Sequence, residues 1–209
     1  MCIFCIKSFF PIITHPGLLF GNDLLTSCWQ IINVMSLNAE SIFSKIDKLK
    51  LQIANFKLQH NFTIHVISIQ ECHYHRLTQS IDAVEIANYR MFHKVSTIGQ
   101  KGGIVVYVHN SITAEEQTFF KNTSELWEGL SLNVYRDNKQ KPIRIHTVYR
   151  PPREKNNKGG IPGRSKHEKF LEEFEPYLKL IKHEKTDTIL LGHPNYKPTQ
   201  STTKHTEPK

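Results

Sequence analysis

Ile31-Ile32-Asn33-Val34-Met35-Ser36-Leu37, residues 31–37, is a short apolar run that closes on the polar Asn38. A run of this length reads as a buried strand. The period then changes. Ile42, Ile46, Leu49, Ile53 and Phe56 recur at steps of four and three, which places all five on one helical face. Lys45, Lys48, Lys50 and Lys57 lie mainly off that stripe, so the spacing predicts a surface helix packed on a sheet. A second strand follows over residues 63–69, T-I-H-V-I-S-I, rich in β-branched residues that suit a buried pleated surface, and it delivers Gln70 and Glu71 to its end. Strand, helix and strand in this order open an α/β fold.

Working outward, further strands are expected at residues 89–93, 103–109, 130–135 and 142–149. Turns rather than helices separate them, so they should pair antiparallel and make the sheets mixed. Residues 150–165, R-P-P-R-E-K-N-N-K-G-G-I-P-G-R-S, hold five basic residues and one acid among prolines and glycines, the composition of a mobile basic loop. Ser165 and Glu168 form a capping-box pattern ahead of Phe170, Phe174, Leu178 and Ile181, which repeat at helical spacing. A last strand is expected at 187–191, and the tail 196–209 has the composition of a disordered segment. No internal repeat is visible.

The 209 residues suffice for one domain with a sizeable core. With 39% hydrophobic and 22% charged residues the chain is neither fibrous nor disordered in composition. Lys and Arg number 27 against 19 Asp and Glu, a formal charge of +8 that favours polyanionic partners such as nucleic acid. Cys2, Cys5, Cys28 and Cys72 are too few and too unevenly placed for the disulfide framework of a small secreted domain, so an intracellular setting, nuclear or cytoplasmic, is expected. Residues 1–29 form an apolar leader of unassigned purpose. Pro11, His15, Pro16 and Gly17 interrupt it before it reaches the roughly 20 residues needed to span a bilayer, so no membrane role is expected.

Polar residues stand at four strand ends: Asn38, Gln70-Glu71, Tyr149-Arg150-Pro151-Pro152 and Gly192-His193-Pro194-Asn195. Strand ends are where sheet proteins gather their sites. His73 and His75 follow Glu71 two apart, yet no third ligand accompanies them, so they read as solvated loop histidines. Taken together, S-L-N at 36–38, I-Q-E at 69–71, K-G-G-I-V-V-Y-V at 101–108, V-Y-R-P-P at 148–152 and I-L-L-G-H-P-N at 189–195 resemble the series of the endonuclease/exonuclease/phosphatase family. The V-Y-R-P-P form resembles its LINE-type retrotransposon branch. The likeness runs over residues 31–195, within a domain expected at 30–195.

The resemblance implies a four-layered α/β sandwich of two mixed, largely antiparallel sheets flanked by helices. It also implies phosphodiester hydrolysis with Mg or Mn, with Glu71 as the metal-binding carboxylate, Asn38 as an amide that orders the metal shell and Tyr149 as a tyrosine approaching the scissile phosphate. Trp127-Glu128 resembles the family's tryptophan-containing strand start and reads as packing. Two departures follow. Where the family has G-D-F-N, with an aspartate that activates water, this chain has Gly192-His193-Pro194-Asn195, and Pro194 biases His193 toward extended geometry and can displace Asn195. The serine-aspartate-histidine motif that closes the family's domain has no counterpart, so the fold is expected to be incomplete at its C-terminal side. A retrotransposon-derived DNA-nicking domain that has become inactive is the expected function. Two alternatives stay open: a non-catalytic remnant that binds DNA weakly through Arg150, Arg153, Lys155 and Lys158, and a phosphoesterase of the same family acting on a small substrate.

Overall fold

A computed structural model describes residues 32–74, 80–96, 102–118, 124, 126–136, 141–151 and 166–195. The leader 1–29, the basic residues Arg153, Lys155 and Lys158, His75, the Ser165 cap and the tail 196–209 lie outside the described residues. In chain order the elements are β1 (Val34–Asn38), α1 (Ile46–His60), β2 (Val66–Gln70), a 3₁₀ turn (Ile81–Val84), β3 (Tyr89–Lys94) and β4 (Ile104–His109). They continue with β5 (Thr113–Glu116), β6 (Glu128–Tyr135), β7 (Ile143–Tyr149), α2 (Lys166–His183) and β8 (Thr188–His193).

The strands form two four-stranded sheets, β1-β2-β4-β3 and β5-β6-β7-β8. Chain connections explain their senses. β1–β2 and β7–β8 are parallel and each pair is joined through a helix, whereas β2–β4, β3–β4, β5–β6 and β6–β7 are antiparallel. Strand period two then sorts the core into layers. Val66, Ile104, Val106, Val108, Leu130, Leu132, Val134, Ile143 and Ile145 meet between the sheets. Ile67, Ile69, Val105 and Tyr107 face the other way and pack with Ile42, Ile46 and Leu49 beside α1. On the far face of the second sheet, Trp127 and Val148 pack with Phe170 and Phe174 of α2. The order is helix, sheet, sheet, helix, and strands buried on both faces are why the apolar runs are nearly continuous.

Three local expectations are corrected. Ile42 lies in a turn before α1, and Phe56, placed on the packed stripe by its spacing, is 40% exposed, the packed stripe of α1 being Ile46, Leu49 and Ile53. α1 ends at Asn61, whose left-handed backbone (φ 46°) lets its N–H reach the Phe56 carbonyl. β5 has no counterpart in the apolar pattern, since of its four residues only Ala114 is buried. Among the described residues no helix is long and apolar enough to cross a membrane.

Candidate active site

Because β1 and β2 run parallel, as do β7 and β8, their carboxyl ends emerge together: Asn38 pairs with Gln70 and Tyr149 with His193. The layer between the sheets changes character toward this end. Ser68 Oγ lies 2.8 Å from Thr147 Oγ1 across the sheets, and Gln70 donates to Ser68 Oγ at 2.8 Å, a buried polar set in which each group answers another. Beyond it the strand-end residues meet. Asn38 Nδ2 is 2.7 Å from His193 Nδ1, and the same imidazole nitrogen is 3.6 Å from Glu71 Oε1. A ring nitrogen holds either a proton or a lone pair, so His193 Nδ1 accepts from Asn38 when it holds the lone pair and faces Glu71 as a charge partner, beyond hydrogen-bond distance, when the ring is protonated. In both states the imidazole is engaged with the residues that the resemblance assigns to a metal.

Tyr149 is fully buried at the floor of this cluster, and among the described residues its hydroxyl has no hydrogen-bond partner of normal geometry. Burial first, and then the charge of the nearby Glu71 and Glu128 carboxylates, push its pKa well above the ordinary phenol value. It therefore holds its proton and is a donor. Gly192 allows the close approach behind it. Its φ is 137°, and a Cβ there would collide with the Val148 carbonyl on β7.

The structure brings Asn38, Glu71, Tyr149 and His193 together, while Asn195 stands apart from the expected role. Its backbone is left-handed (φ 46°) and its side-chain amide donates to the Arg150 carbonyl. Arg150 also departs from expectation: it is buried, with its guanidinium 4.0 Å above the Phe170 ring rather than presented in an open basic loop. His73 is half-buried rather than a fully solvated histidine, and its Nε2 is buried without a hydrogen-bond partner among the described residues. Trp127 packs as expected, edge-on to Phe174 at 5.1 Å. Its neighbour Glu128 is a fully buried carboxylate that accepts the Gly103 N–H at 2.7 Å.

Mg or Mn prefers several oxygen ligands and open positions for water and phosphate. Here Glu71 is the anionic oxygen donor beside Asn38, and the imidazole already contacts both. Among the described residues no group of three or more His, Cys, Asp or Glu is arranged to hold a metal. The donor set as it stands does not fit a hard divalent cation.

No family model and no curated protein matches the chain. Solved structures do match. The 3′ phosphatase NExo from Neisseria, bound to a product DNA hairpin, aligns at a TM-score of 0.50 and 12% identity over 81% of this chain and 60% of that one. The human Nocturnin catalytic domain with bound sulfate aligns at 0.48 and 15% over 80% of this chain and 65% of that one. The D. rerio TDP2 complex with a single-strand DNA product aligns at 0.47 and 12% over 79% and 61%. The chain thus spans about three fifths of the length of these structures. At such identities the likeness shows the fold, two mixed sheets stacked between helices as in endonuclease/exonuclease/phosphatase enzymes.

Proposed function

We propose that this chain is an endonuclease-like domain of the LINE-type retrotransposon branch whose phosphodiester-hydrolysing centre has been disabled in place, leaving weak, sequence-independent DNA binding in an intracellular setting. One observation carries the reading: the His193 imidazole, standing where the G-D-F-N motif has its aspartate, contacts both Asn38 and Glu71. Metal-assisted hydrolysis needs a cation with open positions, a base for the attacking water and donors for the developing charge. Here the base position is an imidazole, the Glu71 carboxylate beside it faces that ring, and Tyr149 remains as a donor. V-Y-R-P-P at 148–152 supports the branch, and the charge of +8 supports the partner.

Incubating the purified chain with supercoiled plasmid and Mg²⁺ or Mn²⁺ tests the proposal. No nicking above background is expected. His193→Asp alone should restore little, because groups that act as a unit lose most of their effect when any is missing, and the 209 residues contain no Ser-Asp-His segment. Robust nicking by the unmodified chain that disappears in Glu71→Ala would overturn the reading and make His193 or a neighbour the base.

A further inference from the structure

Glu128 opens β6 and, by strand alternation, faces the layer between the sheets on the same side as Leu130, Leu132 and Val134. A carboxylate in such a place needs hydrogen bonds to be tolerated. Its Oε2 accepts the Gly103 N–H at 2.7 Å, and the Gly102 Cα turns toward it so closely that a Cβ would stand 2.7 Å from Oε1 and 3.0 Å from Oε2. The same Cβ would collide with Ser96 Oγ, so the Gly102-Gly103 corner is shaped around the Ser96 hydroxyl and this carboxylate together. That corner in turn holds the segment after β2: Cys72 N donates to the Gly103 carbonyl at 3.1 Å and His73 N to the Gly102 carbonyl at 2.9 Å. On the other flank, Ser41 N donates to the Glu71 carbonyl at 2.8 Å. Between these clamps Glu71 sits with φ 54°, a left-handed backbone that a residue with a Cβ adopts when its surroundings impose it.

We infer that Glu128 is a positioning residue for Glu71: across the two sheets and through the Gly102-Gly103 corner, it fixes the left-handed turn that aims the Glu71 carboxylate into the strand-end cluster. The inference goes beyond the proposed function and holds whether or not hydrolysis has been lost, because the clamp acts on backbone. It separates Glu128 from Trp127, whose ring packs against α2 on the opposite face of the sheet.

Amide hydrogen exchange on the full chain tests it, comparing Cys72 and His73 with Leu132 and Ile145 in the central strands. A residue that merely ties the sheets would, when changed, speed exchange of all four together. In Glu128→Ala the Cys72 and His73 amides should exchange roughly tenfold faster relative to the two strand amides, the change that losing one ordinary hydrogen bond produces. Gly102→Ala should do the same from the other side, since its Cβ would displace the carboxylate along with the Ser96 hydroxyl. Glu128→Gln should keep the original ratio, since its amide oxygen can still accept from Gly103 N–H. If Glu128→Ala does not fold, the contrast between Gly102→Ala and Glu128→Gln carries the test. An unchanged ratio in Gly102→Ala, a uniform acceleration, or a Glu128→Gln that loosens the turn would overturn the inference.

Discussion

The two halves of the strand-end cluster have the same kind of scaffold and different chemistry. The half built on the first sheet keeps the amide and carboxylate that the family resemblance implies, Asn38 and Glu71, on backbone held by Ala39 N to Gln70 O at 2.9 Å and Ser41 N to Glu71 O at 2.8 Å. The half built on the second sheet is held as firmly, with Arg150 N donating to the His193 carbonyl at 3.1 Å and Asn195 to the Arg150 carbonyl. Yet there a histidine stands at the aspartate position. Replacing one side chain at a strand end removes no ladder hydrogen bond, so the fold tolerates a change that, on the proposed reading, the chemistry does not. Function here is a property of side chains grafted on a scaffold that is indifferent to them.

The comparison breaks most visibly at Gly192, where the second half depends on a bare Cα. Gly192→Ala forces a Cβ into the Val148 carbonyl at an unfavourable φ, so β7 and β8 must part. A loss of about 4 kcal/mol in urea unfolding is expected, near the top of the range for single substitutions. No change in stability would mean that the β7–β8 approach is looser than described.

A smaller effect follows from His146, behind the second sheet, which is buried with its Nδ1 2.7 Å from Ser131 Oγ and 2.9 Å from the Tyr177 hydroxyl. Burial first, and then Arg144, lower its pKa from 6.5 to about 4. The folded state therefore binds its proton less readily than the unfolded chain. Stability should be full above pH 6.5, fall as pH drops from 6.5 toward about 4 and level off below. The limit of that loss is about 3 kcal/mol. His65 and His109 in the first half are also lowered, mainly by burial, and add to the loss in the same direction. His146→Gln should remove most of the slope in unfolding free energy against pH, and an unaltered slope would assign it to other groups.

The smallest effect concerns the basic residues. DNA affinity in the range of about 10⁻⁴–10⁻⁶ M at moderate salt is expected, falling steeply as salt rises. Neutralising Arg153, Lys155 and Lys158 together should reduce the salt slope by up to about 2.7. Arg150→Gln should leave the slope unchanged and cost stability instead, because that guanidinium lies on Phe170. Filter binding across a salt series separates the two outcomes.

Much of the first half was legible in the sequence because β2 and β4 are buried on both faces. Apolar runs such as Ile104–His109 can hardly be read otherwise, and the runs of β1 and β2 end on Asn38 and Gln70, which the parallel pairing aligns. The meeting of Glu71 with His193 was legible only through the motif series, since periodicity says where a strand ends and not which ends become neighbours. β5 escaped because T-A-E-E offers one buried residue, too few for an alternation to show. Arg150 misled because a basic residue beside prolines reads as solvated, whereas an aromatic ring 20 residues further along the sequence, Phe170, receives it. Glu128 was hidden by its neighbour: with Trp127 it read as packing at a strand start. The signal that could have found it is the Gly102-Gly103 pair, which leaves room for something close to the backbone.

The central claim is that the His193 imidazole stands where a divalent cation would need Glu71 and Asn38. Titrating the ¹⁵N-labelled chain with Mn²⁺ and following paramagnetic broadening tests it most directly. In the unmodified chain, no broadening confined to the amides around Asn38 and Glu71 is expected, while His193→Asp, which supplies a second carboxylate at that point, should acquire it. Confined broadening in the unmodified chain that Glu71→Ala abolishes would contradict the claim.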